Sequence, residues 1–279
     1  MSGSDLAGRI LAYSAAPSRE TMPAGAIDTV NELLDALERG EVRAAQREAN
    51  GEWKAVPWVK QGILLGFRLG DLREYEGTLP FVDKHTYPVQ AFAASRNVRL
   101  VPGGSSVRRG AYLASGVVCM PPMYVNVGAY VGRGTMVDSH ALIGSCAQIG
   151  ENCHVSAAAQ IGGVLEPVNA APVVIEDDVL VGGNCGVYEG TIVRQKSVLA
   201  AGVVPTRGTP VFDLVKETVY RATADAPLEI PEGAVVVPGA RAIRSGWGAD
   251  QGLGLQAPVI VKYRDEKTDL ATTLETLLR

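Results

Sequence analysis

A mainly β fold, a parallel β-helix of hexapeptide repeats, is what the sequence predicts, on three observations. Val101, Val107, Leu113, Cys119, Val125, Val131, Val137, Ile143, Ile149, Val155 and Ile161 stand six apart without a slip. Four residues after each comes a mostly small side chain, from Ser105 and Ala111 through Ala141, Ala147 and Cys153 to Leu165. The residue after the aliphatic one is often glycine, as at Gly132, Gly144, Gly150 and Gly162. A period of six matches neither a helix nor a long plain strand, and a fixed repeat outranks local pattern. Each hexad supplies one short strand and one bend, and three hexads close a triangular coil of about 18 residues. The branched residue points inward, the small one sits where two walls converge, and coils stack about 4.8 Å apart. The register then jumps from Ile161 to Ile175 and continues through Val181, Val187, Val193 and Leu199. The extra residues, within Gly162 to Val174, must project from a corner. Together the blocks make about five coils.

Ahead of the repeat, residues 24–50 read as helical, with Ile27, Val30, Leu33, Leu34 and Leu37 on one face and Gly40 as a stop. A second helix is expected over Ala44 to Glu52. GILLGFRLGDL is apolar enough for a buried helix or strand, and residues 71–97, including His85, read as irregular. Beyond Leu199 the hexads fade into short strands or a hairpin, with a return strand at Ala234 to Val237 and another at Ala257 to Tyr263. A short terminal helix is expected over Asp265 to Arg279. The division is therefore 1–98, an N-terminal helical domain and connector; 99–204, the β-helix; and 205–279, a small C-terminal β/α segment.

Composition agrees with this plan. Thirty-two glycines and 6% aromatic residues suit many bends around a narrow interior. A net charge of −4 carries no basic footprint, so nucleic acid is not an expected partner. Three histidines and four cysteines make no metal pattern, so no metal is expected. Cys119, Cys153 and Cys185 occupy inward places and Cys146 faces a bend. Reduced thiols point to the cytoplasm, and no membrane association is expected, since no signal peptide or spanning segment is evident.

More specific than the hexads are MVD at 136–138, SCAQIG at 145–150, IGGVLEP at 161–167 and IED at 175–177, with VPGGSSVRRGAYLASGV and YVNVGAYV before them and FRLGD near Phe67. This set, in this order, resembles the tetrahydrodipicolinate N-succinyltransferases of the diaminopimelate–lysine pathway. It covers roughly Gly62 to Leu199 well and the ends in outline. The resemblance implies a left-handed winding, against the usual right-handed crossover. It further implies succinyl transfer from succinyl-CoA, a co-substrate rather than a bound cofactor, to the amino group of an open-chain amino-oxo-dicarboxylate. It implies a homotrimer with sites between neighbouring β-helices.

Acyl transfer to an amine requires a proton acceptor, a stabilised thioester oxygen and alignment. Asp138 is the candidate base. It stands where the repeat most often has glycine, points outward, and is stacked between Met120 and Ser156. The competing reading is a carboxylate bonded to bend amides. Glu189 is the second candidate carboxylate. The chain departs from the family here: GGNCGVYEG replaces a segment like ARSEVVEG, leaving Asn184 and Gly186 at places where the family carries an Arg and a substrate-side Glu. His140 stands where members often have Trp, and related sugar and serine acyltransferases use a His as base, so it is a candidate partner or substitute for Asp138. His154 matches a family His and is expected to shape the corner. Arg99 matches an Arg that the family uses on substrate. Arg108, Arg109, Ser156 and Gly163 are further substrate-side candidates, the arginines because a dicarboxylate wants cationic donors. Gly183, Ala201 and Gly202 are small positions where the pantetheine arm could pass, and Lys196 is a candidate for the coenzyme phosphate. The alternatives are an acyltransferase of the same architecture with acetyl-CoA or another amine, a zinc carbonic anhydrase, and a non-catalytic trimeric scaffold.

Overall fold

The computed structural model describes residues 3–77 and 80–265. Its centre is a left-handed parallel β-helix with three faces. Face one stacks Arg99–Leu100, Val118–Cys119, Met136–Val137, His154–Val155, Leu180–Val181, Val198–Leu199 and Ala234–Val237. Face two stacks Ser106–Val107, Tyr124–Val125, Leu142–Ile143, Gln160–Ile161 and Gly186–Val187. Face three stacks Tyr112–Leu113, Tyr130–Val131, Gln148–Ile149, Val174–Ile175, Ile192–Val193 and Glu229–Ile230. The chain turns from face one to two at a first corner, from two to three at a second, and from three back to one at a third.

The inward column is dry. Val125, Val131, Val137, Ile143, Ile149, Val155 and Ile161 are all fully buried, and Ala129, Ala141, Ala147, Cys153 and Ala159 fill the converging corners. Each buried branched side chain contributes about 1.5–3 kcal/mol, which is how two-residue strands hold together. Three expectations about the repeat are corrected. Leu100, not Val101, stands opposite Cys119; the Pro102–Ser105 bend takes one residue more than a hexad allows, so Val101 moves to the outward place. Leu165 leaves the coil with the insert and packs against the N-terminal core, while fully buried Val173 fills the corner place. Val174 belongs to a strand rather than to the insert.

Three helices, α1 (Gly3–Ser14), α2 (Ala26–Glu38) and α3 (Pro57–Leu69), form a second core. The pattern reading missed α1 and left α3 open between helix and strand. This core is continuous with Val127 and Cys146 on the second corner. Glycine is needed there: a Cβ at Gly128 would stand 2.8 Å from Ile63 Cδ1, and one at Gly110 2.7 Å from Leu34 Cδ2. The helix expected over 44–52 is instead a hairpin, Ala45–Arg47 against Trp53–Ala55. Asn50-Gly51, with Gly51 at φ 85°, makes the reversal that a helix cannot contain. The stretch 71–97, expected irregular, contains a second hairpin, Leu72–Tyr75 against Phe81–Lys84, with Tyr75 and Phe81 rings stacked at 4.7 Å. At the other end, Val259–Tyr263 and Val211–Asp213 extend face one. The terminal helix expected from Asp265 falls, but for its first residue, outside the described residues.

The first hairpin is locked onto face three by buried polar groups. Arg43 stacks 3.7 Å from the Tyr130 ring centroid and donates to Gln148 Oε1 at 2.9 Å. Glu176, only 5% exposed, accepts from Trp53 Nε1 at 2.9 Å, Arg194 Nη1 at 3.0 Å and the Gln195 amide at 3.1 Å. Breaking such a set by Glu176→Ala should cost about 3 kcal/mol, the low end for a buried ion pair because Arg194 keeps Glu229. Urea unfolding checks this, and Glu176→Gln, which can still accept from Trp53, should lose less.

Candidate active site

The first corner carries most of the sequence-selected residues. Parallel pairing stacks Asp138, Ser156, Gly182 and Ala200 at its first place, since their amides donate in turn to Val155, Val181, Leu199 and Val236 carbonyls. Ser139, Ala157, Gly183 and Ala201 follow at the second place. His140, Ala158, Asn184 and Gly202 take the third, with φ of 62°, 58°, 57° and 79°. This left-handed place costs a non-glycine residue some strain, and neighbouring coils support it: the His140 amide donates to the Pro122 carbonyl, Ala158 to Ser139, Asn184 to Ala157 and Gly202 to Gly183. The corner therefore offers a carboxylate below and small residues above.

Asp138 is held at one oxygen and approached by a histidine at the other. Its Oδ1 accepts the Ser139 amide at 2.7 Å, the bend-amide bond that the structural reading of this residue anticipated. Its Oδ2 lies 3.7 Å from Nε2 of His154, with the two side chains 29% and 15% exposed. The histidine brought beside the carboxylate is thus His154, and not His140, which is exposed and receives a Gln160 Nε2 bond on its carbonyl at 3.3 Å. The 18-residue column carried the signal: His154 pairs with Met136, two residues before Asp138. Arg99 lies on the same face, pairing with Val118, which pairs with Met136. It is exposed, and its guanidinium has no partner among the described residues.

Arg108 and Arg109 sit on the second corner and are engaged within the chain. Arg108 donates to Asp83 Oδ2 at 2.6 Å between the Phe67 and Tyr87 rings. Arg109 donates to Asn31 and Asp35 of α2, both at 3.0 Å. Both tie the helical domain to the coil. Higher on this corner a cleft of about 870 Å³ opens between the insert, the strand Trp53–Ala55 and residues 224–227. Gly163, Glu189 and Arg207 line it. Glu189 is exposed and accepts the Arg207 amide at 2.9 Å. The insert that walls the cleft is fastened by Lys60, fully buried, whose Nζ donates to the Ala170 carbonyl at 2.5 Å; burial lowers the ammonium's pKa. Lys196 is on the third corner, away from Gly183, Ala201 and Gly202, with its amide on the Asp177 carbonyl.

Gly186, where the resemblance implies an acidic residue, packs in a way that the sequence reading did not reach. The Tyr188 ring lies back over it. A Cβ at Gly186 would stand 2.4 Å from Tyr188 Cε2 and 2.8 Å from its hydroxyl oxygen, and one at Gly162 2.8 Å from Cδ1. Two glycines thus make a bed for one aromatic ring, and any side chain at 186 requires that ring to swing out. The Tyr188 hydroxyl has no hydrogen-bond partner among the described residues. Covalent catalysis by cysteine has no support: Cys119, Cys146 and Cys153 are buried, which pushes each thiol up to about 12.

Comparison with known proteins agrees with this architecture. Residues 12–69 match the family model of the tetrahydrodipicolinate N-succinyltransferase N-terminal region, and residues 172–207 match that of the hexapeptide repeat of succinyl-transferase. The chain is 42% identical over 259 residues to 2,3,4,5-tetrahydropyridine-2,6-dicarboxylate N-succinyltransferase of Bradyrhizobium diazoefficiens, covering 90% of this chain and 89% of the relative. It is 40% identical over 269 residues to the protein of that name from Polynucleobacter asymbioticus, covering 94% and 93%. A crystal structure from Campylobacter jejuni, provisionally named 2,3,4,5-tetrahydropyridine-2-carboxylate N-succinyltransferase, superposes with a TM-score of 0.52 at 18% identity, over 88% of this chain and 64% of that one, a likeness of fold. With two fifths of its residues shared over nine tenths of its length, the chain belongs to the tetrahydrodipicolinate N-succinyltransferase family.

Proposed function

We propose that the protein transfers a succinyl group from succinyl-CoA to the amino group of open-chain tetrahydrodipicolinate (2-amino-6-oxopimelate), a step of lysine and diaminopimelate biosynthesis, as a cytoplasmic homotrimer. The observation that carries the reading is the part-exposed Asp138 carboxylate, with Oδ1 fixed by the Ser139 amide and Oδ2 beside His154, on a corner whose upper coils offer mostly small residues. Asp138 accepts the proton that the acceptor amine must lose. The nitrogen then bonds to the thioester carbonyl carbon, the carbon–sulfur bond breaks, and the departing thiolate is protonated to free CoA. Arg99, on the same face, is the cation for an acceptor carboxylate. The pantetheine arm passes Gly183, Ala201 and Gly202.

Asp138 and Glu189 cannot meet on one acceptor inside a single chain. They sit on different corners, on the order of 15–20 Å apart for six residues at about 3.3 Å each, and two coils of about 4.8 Å separate them in height. A neighbouring copy that presents its second corner to this first corner brings the two carboxylates together. The same contact would let the neighbour's cleft supply Tyr188.

Thioester consumption with the pathway acceptor, measured with succinyl- and acetyl-CoA side by side, tests the assignment. Strong succinyl preference is expected, at least about tenfold in kcat/KM, since one misplaced or unpaired carboxylate costs more than 1.4 kcal/mol. Acetyl preference would transfer the reading to a different donor, with the Gly186–Tyr188 pair as the first place to look.

A further inference from the structure

We infer that His154 is a positioning residue for Asp138, holding its carboxylate in the orientation from which it takes the proton; the inference rests on the reading of Asp138 as the base. Three features of the structure point to it. The imidazole Nε2 stands 3.7 Å from Asp138 Oδ2 while Oδ1 is held by the Ser139 amide, so the carboxylate is addressed at both oxygens. The distance is longer than a formed hydrogen bond, and close enough for a small rotation of either side chain to complete one. The ring itself has little freedom. His154 is on a strand whose amide donates to Val179 at 3.0 Å, and its register partners on the same outward face are Met136 below and Leu180 above. Two long apolar side chains flank the imidazole, and little of it is exposed.

A carboxylate at a bend with only one anchored oxygen can pivot about that anchor. Pivoting moves the proton-accepting lone pair away from the amine, and a misalignment of about 1 Å can cost on the order of 100-fold in rate. A His154 ring nitrogen at the second oxygen removes that freedom. The residue acts through Asp138 and not on substrate.

The test is kinetic and uses the whole chain. His154→Leu, close in volume but without a ring nitrogen, is expected to lower kcat about tenfold with KM for succinyl-CoA within about twofold of wild type, the signature of an interaction used mainly in the transition state. His154→Gln, whose amide reaches the place of Nε2, is expected to restore kcat to within about threefold, and the shorter His154→Asn is not. In the Asp138→Asn background His154→Leu is expected to change nothing further. A native kcat in H154L, or an equal loss in both backgrounds, overturns the inference. Should H154L fail to assemble, the contrast of Gln with Asn decides alone, and equal rates for those two overturn it. The underlying reading fails separately: near-native turnover in D138N removes Asp138 as base, whatever the His154 variants do.

Discussion

Replacing Asp138 by asparagine should leave the protein folded and assembled while turnover falls about 100-fold or more, the span that a general base contributes. The substitution is isosteric, and an asparagine oxygen can still accept the Ser139 amide that anchors Oδ1 at 2.7 Å. The corner itself is held by backbone bonds, Asp138 to Val155 and Ala158 to Ser139, that do not involve the side chain. What is lost is the negative charge and the ability to take a proton. The loss should therefore appear in kcat, with unfolding temperature and oligomeric state unchanged. Thioester consumption at saturating substrates, with a size measurement on the same sample, checks both halves. Near-native turnover would place the base elsewhere. His140, on the same corner, would be next, although its ring is exposed and its backbone is what the corner uses.

The β-helix was legible because its physics is one-dimensional: an inward branched residue every six positions leaves little to tertiary chance, and every one from Val107 to Ile161 is buried. The count failed where the chain stopped obeying the repeat, at the Pro-Gly-Gly bend after Val101 and at the insert that carries Leu165 away. Elements outside the repeat were less legible because short signals compete. Asn50-Gly51 marks a hairpin, yet the alanines and glutamates around it favour a helix locally, and packing onto Tyr130 and Glu176 decides for the hairpin. At the site, vertical stacking was readable by counting: Asp138 under Ser156, and Gly183 under Ala201. Lateral contacts were not. The reach of the Tyr188 ring over Gly186 depends on side-chain direction. The engagement of Arg108 and Arg109 depends on a helical domain whose docking no column count supplies. The proximity of His154 to Asp138 lay between these cases, since its column was countable but the approach of ring to carboxylate was not.

The corner-to-corner separation of the two carboxylates gives an expected result that no single-chain site could produce. Asp138→Asn and Glu189→Gln should each be nearly inactive alone, yet regain activity when the two variants are co-expressed and assemble together. Suppose each site takes Asp138 from one copy and Glu189 from the next. A mixed trimer then contains one junction where the copy with intact Asp138 meets the copy with intact Glu189, so one of its three sites is whole. With random one-to-one assembly about three quarters of the trimers are mixed, and about a quarter of wild-type activity should return, against roughly a hundredth for either parent. In the proposed trimer closed rotational symmetry would fix that fraction, so the size of the recovery, and not merely its presence, is diagnostic. Two affinity tags, purified in sequence, isolate the mixed assemblies and should raise the recovered share to about a third. Tagged mixed trimers no more active than their parents would mean that Asp138 works without a partner's Glu189. The exposed Glu189 carboxylate lining the 870 Å³ cleft would then be a structural acceptor for the Arg207 amide, and the acceptor would have to be held by the first corner alone, its amine at Asp138 and a carboxylate at Arg99.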